Sequence, residues 1–398
     1  MDLTIYPRKL SGAIQAIPSK SQAHRLLICS AFADTETIME CPQTNQDIEA
    51  TVRCLNALGA DIVRTAQGYH IKPITEFPDS ATMDCGESGS TLRFLLPIVC
   101  ALGINTTIQM HGRLPYRPLS PLWEELERMG CQLTRPTETT IQTAGQLHSG
   151  NYLIDGNISS QFISGLLFAT ALMDGKSTIT ILGVPESKPY IEMTQLALNS
   201  FGVDTTNYHI CGAFPFSSPG RIVVEGDWSN AAFFIVAKAL ENHIKIDNLS
   251  LSSPQGDRAI AELLKQYDSL TTIDVTNIPD LVPILAVFFG SRRDITFTGI
   301  SRLRLKESDR VASVCNMISQ LGASAYATDN TISIISAPYH SCTIDSVGDH
   351  RIAMAAAIGA TVADGPITIL GAECVSKSYP GFWDEYKKLG GYYEQHIR

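Results

Sequence analysis

The chain has 398 residues, of which 44% are hydrophobic and 18% charged, a composition typical of a folded protein and not of a coiled coil or a disordered chain. This length exceeds what one hydrophobic core usually serves, so we expect two domains. The formal net charge of −10 argues against a general nucleic-acid binder, because the phosphate backbone requires a basic protein surface.

The predicted elements recur as one unit along the chain, in six copies. Each copy opens with a turn of small or polar residues that leads into an apolar helix. A β-branched strand and a second, amphipathic helix follow. The six openings are residues 18–21, 85–90, 155–161, 225–230, 278–280 and 347–351.

The second helix of several copies is predicted to end at a glycine. Gly59, Gly130, Gly202 and Gly322 each follow a helical pattern and precede strand residues. Glycine just beyond a helix is a common C-terminal cap. The repeating unit is therefore βαβαββ and spans roughly 70 residues in most copies. The fourth copy is shorter, and we expect it to lack an outer hairpin.

The six copies divide into two sets of three. We predict an inserted domain at residues 19–224 and a discontinuous domain formed by residues 1–18 and 225–398, which the N-terminal strand closes. The chain then crosses twice between the domains, and a double crossing permits hinge closure over a ligand. We therefore expect an α/β fold with the active site in the interdomain cleft.

Several helix starts carry hydroxyl, amide or cationic side chains. Lys20 and Ser21 open the first helix, and Ser159, Ser160 and Gln161 open the third copy. A helix start offers free N–H groups and partial positive charge, which suit a phosphate or a carboxylate. Taken singly, a serine there is ordinarily just an N-cap.

Two further segments concentrate positive charge. Residues 112–119 hold two arginines and two prolines, and rigidly placed arginine suits bidentate binding of carboxylate or phosphate. Residues 302–310 hold Lys306, Glu307 and Arg310. If residues 304–310 are helical, Lys306 and Arg310 lie on one face. We interpret such a face as one that binds an anion, and the alternative interpretation is a solvent-exposed helix stabilised only by ion pairs.

Together these segments resemble the 5-enolpyruvylshikimate-3-phosphate synthase family, also called 3-phosphoshikimate 1-carboxyvinyltransferase. The resemblance spans nearly the whole chain and implies two inverse α/β barrel domains of the enolpyruvyl transferase type, with three βαβαββ repeats each. The matching motifs are Pro-Ser-Lys-Ser at 18–21 with Arg25, Ser-Gly-Ser-Thr at 88–91 with Arg93, Arg-Pro-Leu at 117–119, Ser-Ser-Gln-Phe at 159–162, Leu-Lys-Glu-Ser-Asp-Arg at 305–310, Gly-Asp-His-Arg-Ile-Ala-Met at 348–354 and Lys-Ser-Tyr-Pro at 377–380.

The resemblance implies one reaction. The enolpyruvyl group of phosphoenolpyruvate is transferred to the 5-hydroxyl of shikimate 3-phosphate, through a tetrahedral intermediate that loses phosphate. This step belongs to the shikimate pathway, which supplies chorismate and the aromatic amino acids. The resemblance implies neither a metal nor an organic cofactor, and it implies a cytoplasmic monomer with glyphosate as a candidate inhibitor.

The resemblance also implies roles for single residues. As catalytic residues it implies Asp280, which accepts the 5-hydroxyl proton, and Glu307 or Lys20, either of which delivers a proton to C3 of phosphoenolpyruvate. The residues implied to bind phosphoenolpyruvate are Lys20, Gly89, Arg117, Gln161, Arg310, Arg351 and Lys377. Those implied to bind shikimate 3-phosphate are Ser21, Arg25, Ser159, Ser160, Gln161, Ser187, Asp280 and Lys306.

Two alternatives remain beside this interpretation. A UDP-N-acetylglucosamine enolpyruvyl transferase shares the fold and chemistry, but that family typically has a reactive cysteine where residues 110–116 have none. A non-catalytic anion-binding protein on the same scaffold should have lost its acid–base residues, whereas this chain retains them. Two positions depart from the family pattern, since Glu87 and Arg302 stand where relatives often have asparagine.

The remaining features indicate an ordinary reduced protein. The N-terminus lacks a basic segment followed by an apolar one, so we expect no signal peptide. The longest apolar runs, such as residues 281–289, are too short to cross a membrane. The ten cysteines form no C-x-x-C pair, and we interpret them as free thiols rather than zinc ligands or disulfides.

Overall fold

The structure, a computed structural model, describes residues 1–396. Its strands are β1 (Asp2–Tyr6), β2 (Ser11–Gln15), β3 (Thr37–Glu40), β4 (Asp61–Thr65), β5 (Gly68–Lys72), β6 (Ser80–Asp84), β7 (Asn105–Gln109), β8 (Cys131–Thr137), β9 (Thr140–Gly145), β10 (Asn151–Asp155), β11 (Lys176–Leu182), β12 (His209–Cys211), β13 (Arg221–Val223), β14 (His243–Asp247), β15 (Thr272–Asp274), β16 (Ile295–Thr298), β17 (Ser324–Ala327), β18 (Thr331–Ile335), β19 (Cys342–Asp345), β20 (Ile367–Leu370) and β21 (Tyr392–His396). Its α-helices are α1 (Lys20–Ala31), α2 (Gln46–Ala57), α3 (Gly89–Leu102), α4 (Leu122–Arg128), α5 (Ser160–Leu172), α6 (Lys188–Ser200), α7 (Trp228–Ala239), α8 (Ile260–Lys265), α9 (Val282–Gly290), α10 (Arg310–Leu321), α11 (His350–Gly359) and α12 (Phe382–Lys388).

The chain divides into two compact units. The inserted unit is Pro18–Glu225, and the discontinuous unit joins Met1–Ile17 to the chain from Gly226 onward. Each unit has a hydrophobic core of its own. The backbone therefore passes from one unit to the other at Ile17–Pro18 and at Glu225–Gly226.

The inserted unit contains three sheets, of which two have the same four-stranded order. These orders are β13-β3-β5-β4 and β6-β7-β9-β8, and the third sheet is β10-β11-β12. In two of these sheets a helix connects a pair of parallel strands: α3 connects β6 to β7, and α5 connects β10 to β11. The last two strands of a full copy form an antiparallel hairpin, such as β8–β9. This is the βαβαββ unit that the sequence predicts.

Helices α3 and α5, the first helices of the second and third copies, are apolar on nearly all sides, and the fold buries them accordingly. Every residue of α5 except Gln161 is buried, and so is every residue of α3 except Ser90 and Leu102. The two helices pack closely, since a Cβ at Gly165 would collide with the carbonyl oxygen of Arg93. Glycine at this position is what allows that approach.

The discontinuous unit repeats the same plan with one reduced copy. Its sheets are β15-β16-β18-β17, β19-β20-β1-β21 and the two-stranded β2-β14. Strand β1 lies antiparallel to both β20 and β21, so the N-terminal segment completes the sixth copy. The two-stranded sheet belongs to the fourth copy, which lacks the outer hairpin as predicted.

The predicted helix boundaries are largely confirmed. The first helices of five copies, α1, α3, α5, α7 and α11, are each preceded by a residue whose side chain accepts a backbone N–H of the helix. These capping residues are Ser19, Ser88, Ser159, Asp227 and Asp349. The predicted stop glycines have positive φ values, for example +108° at Gly59 and +113° at Gly322. These are left-handed conformations that glycine adopts without steric cost.

The condition considered for residues 304–310, that they form a helix, is not met. A short 3-10 helix spans Ser301–Leu305, Lys306 is extended, and α10 begins only at Arg310. Asp309 is the cause, because its side chain accepts the N–H groups of Val311 and Ala312 and so sets the start of the helix.

All ten cysteines are free thiols in the structure. Among residues 1–396, no helix has the length and apolar character that a membrane span requires.

Candidate active site

The discontinuous unit gathers three cations around the carboxylate of Asp280. This residue lies in the 3-10 helix Pro279–Leu281, directly before α9. Its Oδ1 accepts a hydrogen bond from Arg310 Nη1 at 2.6 Å, and its Oδ2 accepts one from Arg351 Nη2 at 3.0 Å. Lys306 Nζ lies 3.5 Å from Oδ1. Cations from two separate segments, residues 306–310 and the start of α11, thus converge on one carboxylate.

Arg310 is the centre of this cluster and is only 1% exposed. Its Nη2 donates to Glu307 Oε2 at 2.6 Å, and its Nε donates to Asp349 Oδ2 at 2.8 Å. Asp349 in turn caps α11 by accepting the N–H of Arg351, and it accepts the hydroxyl of Ser308. A buried guanidinium with three carboxylate partners is held in one orientation.

The electrostatics of the cluster are set by burial and by these close charges. Burial alone would raise the pKa of Asp280, but Arg351, Lys306 and Arg310 hold it well below its ordinary value. Burial also lowers the pKa of Lys306 to about 8, because Asp280 offsets this effect only in part. The pKa of Asp349 is lowered as well, since Arg310 and His350 outweigh its burial.

The inserted unit holds Lys20 at the first position of α1. Its Nζ pairs with Asp47 Oδ2 at 2.8 Å, and Asp47 lies in the first turn of α2. Both side chains keep a little exposure, 18% and 19%. The ammonium group is therefore oriented by a carboxylate and remains accessible from solution.

Arg25 is buried, and protein groups bond its guanidinium on several sides. It donates to the carbonyls of Ser21 and Tyr190 and to Thr194 Oγ1, at distances of 2.6 to 2.8 Å. Its guanidinium also lies over the Phe94 ring. Burial lowers its pKa to about 10, which leaves it charged at neutral pH. Arg25 therefore fixes the backbone of Ser21 as well as carrying charge.

A second polar group connects the starts of α3 and α5. Gln161 accepts a hydrogen bond from Arg93 Nη1 at 2.7 Å and donates to Ser90 Oγ at 2.9 Å. The Arg117 guanidinium lies against Gly89, where a Cβ would come within 2.7 Å of Arg117 Nη1. Glycine at position 89 therefore lets the arginine rest on the helix start.

The other predicted residues also lie at helix or loop ends. Ser159 caps α5, Ser160 begins it, and both are buried. Ser187 precedes α6 with a φ of +53°, and Lys377 Nζ lies 3.4 Å from the carbonyl oxygen of Gly348. The carboxylate of Glu87, which is exposed, rests against Gly112, where a Cβ would collide with it.

Sequence reasoning gave no site role to Asp349 or Asp47, and it noted Arg93 only as part of the motif at 88–91. Asp349 could have been found, because an acidic residue directly before a predicted helix signals an N-cap. Asp47 carried no comparable signal, since its pairing with Lys20 depends on how α1 and α2 pack. The pairing of Arg93 with Gln161 depends on how α3 and α5 of neighbouring copies pack.

Comparison with known structures defines the class of fold. The EPSP synthase structure from Acinetobacter baumannii is 24% identical, matches 99% of this chain and 100% of its own, and superimposes with a TM-score of 0.80. The enolpyruvyl transferase NikO from Streptomyces tendae is 17% identical, covers 100% and 99%, and has a TM-score of 0.74. The fold is thus the two-domain α/β fold of the enolpyruvyl transferases.

Comparison of sequences then specifies the family. A family profile described as EPSP synthase (3-phosphoshikimate 1-carboxyvinyltransferase) matches residues 5–271 and 265–386. The 3-phosphoshikimate 1-carboxyvinyltransferase of Clostridium beijerinckii is 35% identical, with 99% of this chain and 98% of that protein covered. That of Clostridium perfringens strain ATCC 13124 is 36% identical, with 97% and 98% covered. The chain belongs to the EPSP synthase family.

Proposed function

We propose that the chain transfers the enolpyruvyl group of phosphoenolpyruvate to the 5-hydroxyl of shikimate 3-phosphate and releases phosphate. The observation that carries this proposal is the Asp280 carboxylate, which lies among Lys306, Arg310 and Arg351. The family membership agrees with it. A base surrounded by cations suits a reaction between two polyanionic substrates.

The cations provide the charge that phosphoenolpyruvate requires. Its phosphate and carboxylate would be held by the side chains of Lys20, Arg117, Arg310, Arg351 and Lys377, together with the Gln161 amide and the Gly89 backbone. Each charge-assisted hydrogen bond contributes on the order of 1.5–3 kcal/mol. Arg310 and Arg351 are already oriented by carboxylates, so little ordering remains to be done when the ligand binds.

Shikimate 3-phosphate would be held mainly by hydroxyl groups at helix starts. The proposed ligands are the side chains of Ser21, Arg25, Ser159, Ser160, Gln161, Ser187 and Lys306. Ser159 and Ser160 lie at the start of α5, where the backbone N–H groups also favour a phosphate. With a pKa of about 8, Lys306 is mostly protonated at neutral pH and suits the same anion.

The chemical step requires one base and one acid. The 5-hydroxyl oxygen bonds to C2 of phosphoenolpyruvate while its proton passes to Asp280, and C3 gains a proton. The tetrahedral intermediate then loses a proton from C3, the C2–O bond to phosphate breaks, and phosphate leaves with the double bond restored. A positioned acid or base contributes about 10²–10⁴-fold to such a step.

The source of the C3 proton stays open between Lys20 and Glu307. Lys20 is paired with Asp47, and Glu307 is paired with Arg310. Whichever residue delivers the proton must carry it before the step begins, so the two assignments place the transferred proton on different side chains. The pH dependence of Lys20→Met and Glu307→Gln variants separates them.

The deciding experiment measures inorganic phosphate release. Shikimate 3-phosphate plus phosphoenolpyruvate should release phosphate, whereas UDP-N-acetylglucosamine plus phosphoenolpyruvate should not. Release only in the second mixture would support the UDP-N-acetylglucosamine enolpyruvyl transferase. Silence in both mixtures, with phosphoenolpyruvate still bound in calorimetry, would support a non-catalytic anion-binding protein.

Several finer expectations stay predictions. They are the interdomain position of the active site, the monomeric state, the cytoplasmic location and inhibition by glyphosate. Size-exclusion chromatography with light scattering tests the monomer, and glyphosate titration against phosphoenolpyruvate tests the inhibition.

A further inference from the structure

A chain of buried side-chain hydrogen bonds joins α1, α2 and α3, the first three helices of the inserted unit. His24 Nδ1 lies 2.7 Å from Thr51 Oγ1, and Thr51 Oγ1 lies 2.7 Å from Thr91 Oγ1. Thr91 Oγ1 donates to Ser88 Oγ, also at 2.7 Å. His24, Thr51 and Thr91 have no exposed surface, and Ser88 is 1% exposed. Buried polar groups are costly unless they are paired, so this network holds the three helices in one arrangement.

Helices α1 and α2 face each other through two side-chain pairs that lie one turn apart. Lys20 and His24 share one face of α1, because residues i and i+4 of a helix are neighbours. Asp47 and Thr51 share one face of α2 for the same reason. Lys20 pairs with Asp47 at 2.8 Å, and His24 pairs with Thr51 at 2.7 Å. The buried second pair therefore fixes the spacing of the two helices one turn away from the Lys20 ammonium group.

The other end of the network is the start of α3. Ser88 caps this helix, and its Oγ accepts both the N–H and the hydroxyl of Thr91, at 3.2 and 2.7 Å. The next residue is Gly89, against which the Arg117 guanidinium lies. The network thus connects the helix that carries Lys20 to the helix start that Arg117 contacts. Both cations are proposed above to hold phosphoenolpyruvate.

The hydrogen bonds of the network run in one direction, because each hydroxyl has a single hydrogen to donate. Thr91 gives its hydrogen to Ser88, so it must accept one from Thr51. Thr51 then has none left for His24, and the ring Nδ1–H donates to Thr51 instead. The His24 Nε2 is a buried acceptor without a partner among residues 1–396. Burial lowers the pKa of His24 to about 3, so the ring is neutral at neutral pH.

The part of α1 proposed to bind shikimate 3-phosphate is held by different bonds. Arg25 donates to the carbonyl oxygens of Ser21 and Tyr190 and to Thr194 Oγ1. These three bonds run to α1 itself and to α6, and none of them includes a member of the network. Loosening the network should therefore disturb the proposed ligands of phosphoenolpyruvate more than those of shikimate 3-phosphate.

We propose that Thr51 is a positioning residue for the proposed transfer reaction. By joining α1 to α3, it holds Lys20 and the helix start that Arg117 contacts in the arrangement that binds phosphoenolpyruvate, without touching either substrate. This inference rests on the proposed function. A role limited to stability would leave the kinetics of every folded variant unchanged, and the two roles can be told apart on that basis.

The experiment measures kcat and both KM values by phosphate release in the parent chain, Thr51→Val and Thr51→Ser. Valine keeps the shape of threonine but leaves the His24 Nδ1–H without its acceptor, whereas serine keeps the hydroxyl. Thr51→Val should raise the KM for phosphoenolpyruvate by roughly tenfold and that for shikimate 3-phosphate by less than about twofold. Thr51→Ser should stay close to the parent.

Thr170→Val is the matched control. Thr170 is also buried, and its hydroxyl donates to the carbonyl oxygens of Leu166 and Leu167 in its own helix, α5. This substitution removes the same hydroxyl group from the same unit without touching the network. Its two KM values should therefore match those of the parent.

The outcomes separate the two proposals. A parent chain that releases no phosphate overturns the proposed function, and this inference with it. An active parent overturns only the role of Thr51 if Thr51→Val keeps the KM for phosphoenolpyruvate, raises both KM values equally, or behaves like Thr170→Val. If Thr51→Val does not fold, Thr91→Val decides by the same criterion, because it breaks the next bond of the network. A proton on Nε2 of His24, detected by nitrogen NMR of the parent, would contradict the network itself.

Discussion

Asp349 offers the sharpest test of how the cation cluster is held together. Its side chain is fully buried and has three partners, the N–H of Arg351, the Ser308 hydroxyl and Arg310 Nε. Replacement by alanine removes the cap of α11 and leaves the buried Arg310 without one of its carboxylates. The Asp349→Ala variant should therefore be strongly destabilised.

The size of the effect follows from two contributions. Loss of an N-cap costs about 0.5–2 kcal/mol, and removal of one partner from a buried ion pair costs about 3–5 kcal/mol. The two overlap because one carboxylate serves both, and Glu307 and Asp280 still compensate Arg310. We expect a loss of about 4 kcal/mol in the free energy of unfolding, a large share of the roughly 5–15 kcal/mol of an ordinary domain.

Urea unfolding followed by tryptophan fluorescence measures this loss. In a Trp123→Phe background the remaining tryptophans, Trp228 and Trp383, are both buried in the discontinuous unit and so report on that unit alone. Asp329→Ala is the control, since Asp329 is exposed between β17 and β18. A loss below about 1 kcal/mol, or one equal to that of the control, would refute the buried-cluster reasoning.

Four further predictions concern activity and pH. Lys20→Met should abolish phosphate release with an unchanged melting temperature, and rates like those of the parent would remove Lys20 from the mechanism. Asp280→Ala should lower kcat by about a hundredfold or more with smaller changes in KM, and an effect confined to KM would reassign it to binding. Gly89→Ala should raise the KM for phosphoenolpyruvate by roughly tenfold in steady-state kinetics, because its Cβ would displace Arg117, whereas an unchanged KM would contradict that contact. The pKa of Asp257 rises on folding from 3.8 to about 6, so its contribution to stability is complete below pH 3.8 and is lost as pH rises through 6. Urea titrations should therefore show the stability of Asp257→Asn gaining on the parent over that range, by about 3 kcal/mol at about 1.4 kcal/mol per pKa unit, and a constant difference would contradict the shift.

The candidate site could be predicted only in part. Lys20, Gln161 and Arg351 lie at helix starts as expected, because capping residues and apolar periodicity mark those starts locally. Lys306 does not share a helix face with Arg310, since the charge pattern of residues 304–310 suits a helix while the Asp309 cap sets a later start. Local propensity is a weak guide where a cap competes with it.

The sequence by itself determined the repeat, the helix starts and the family, because turn residues, apolar periodicity and motif order are all read along the chain. Only the tertiary structure decided which charges meet. Arg310 and Arg351 reach Asp280 from helices of two different copies, and Asp47 reaches Lys20 from the second helix of the same copy. Such pairings depend on how helices pack, and burial in that packing is also what shifts the pKa values of Asp257 and Lys306. Neither the packing nor the burial can be read from the sequence, because the residues that meet lie apart in the chain.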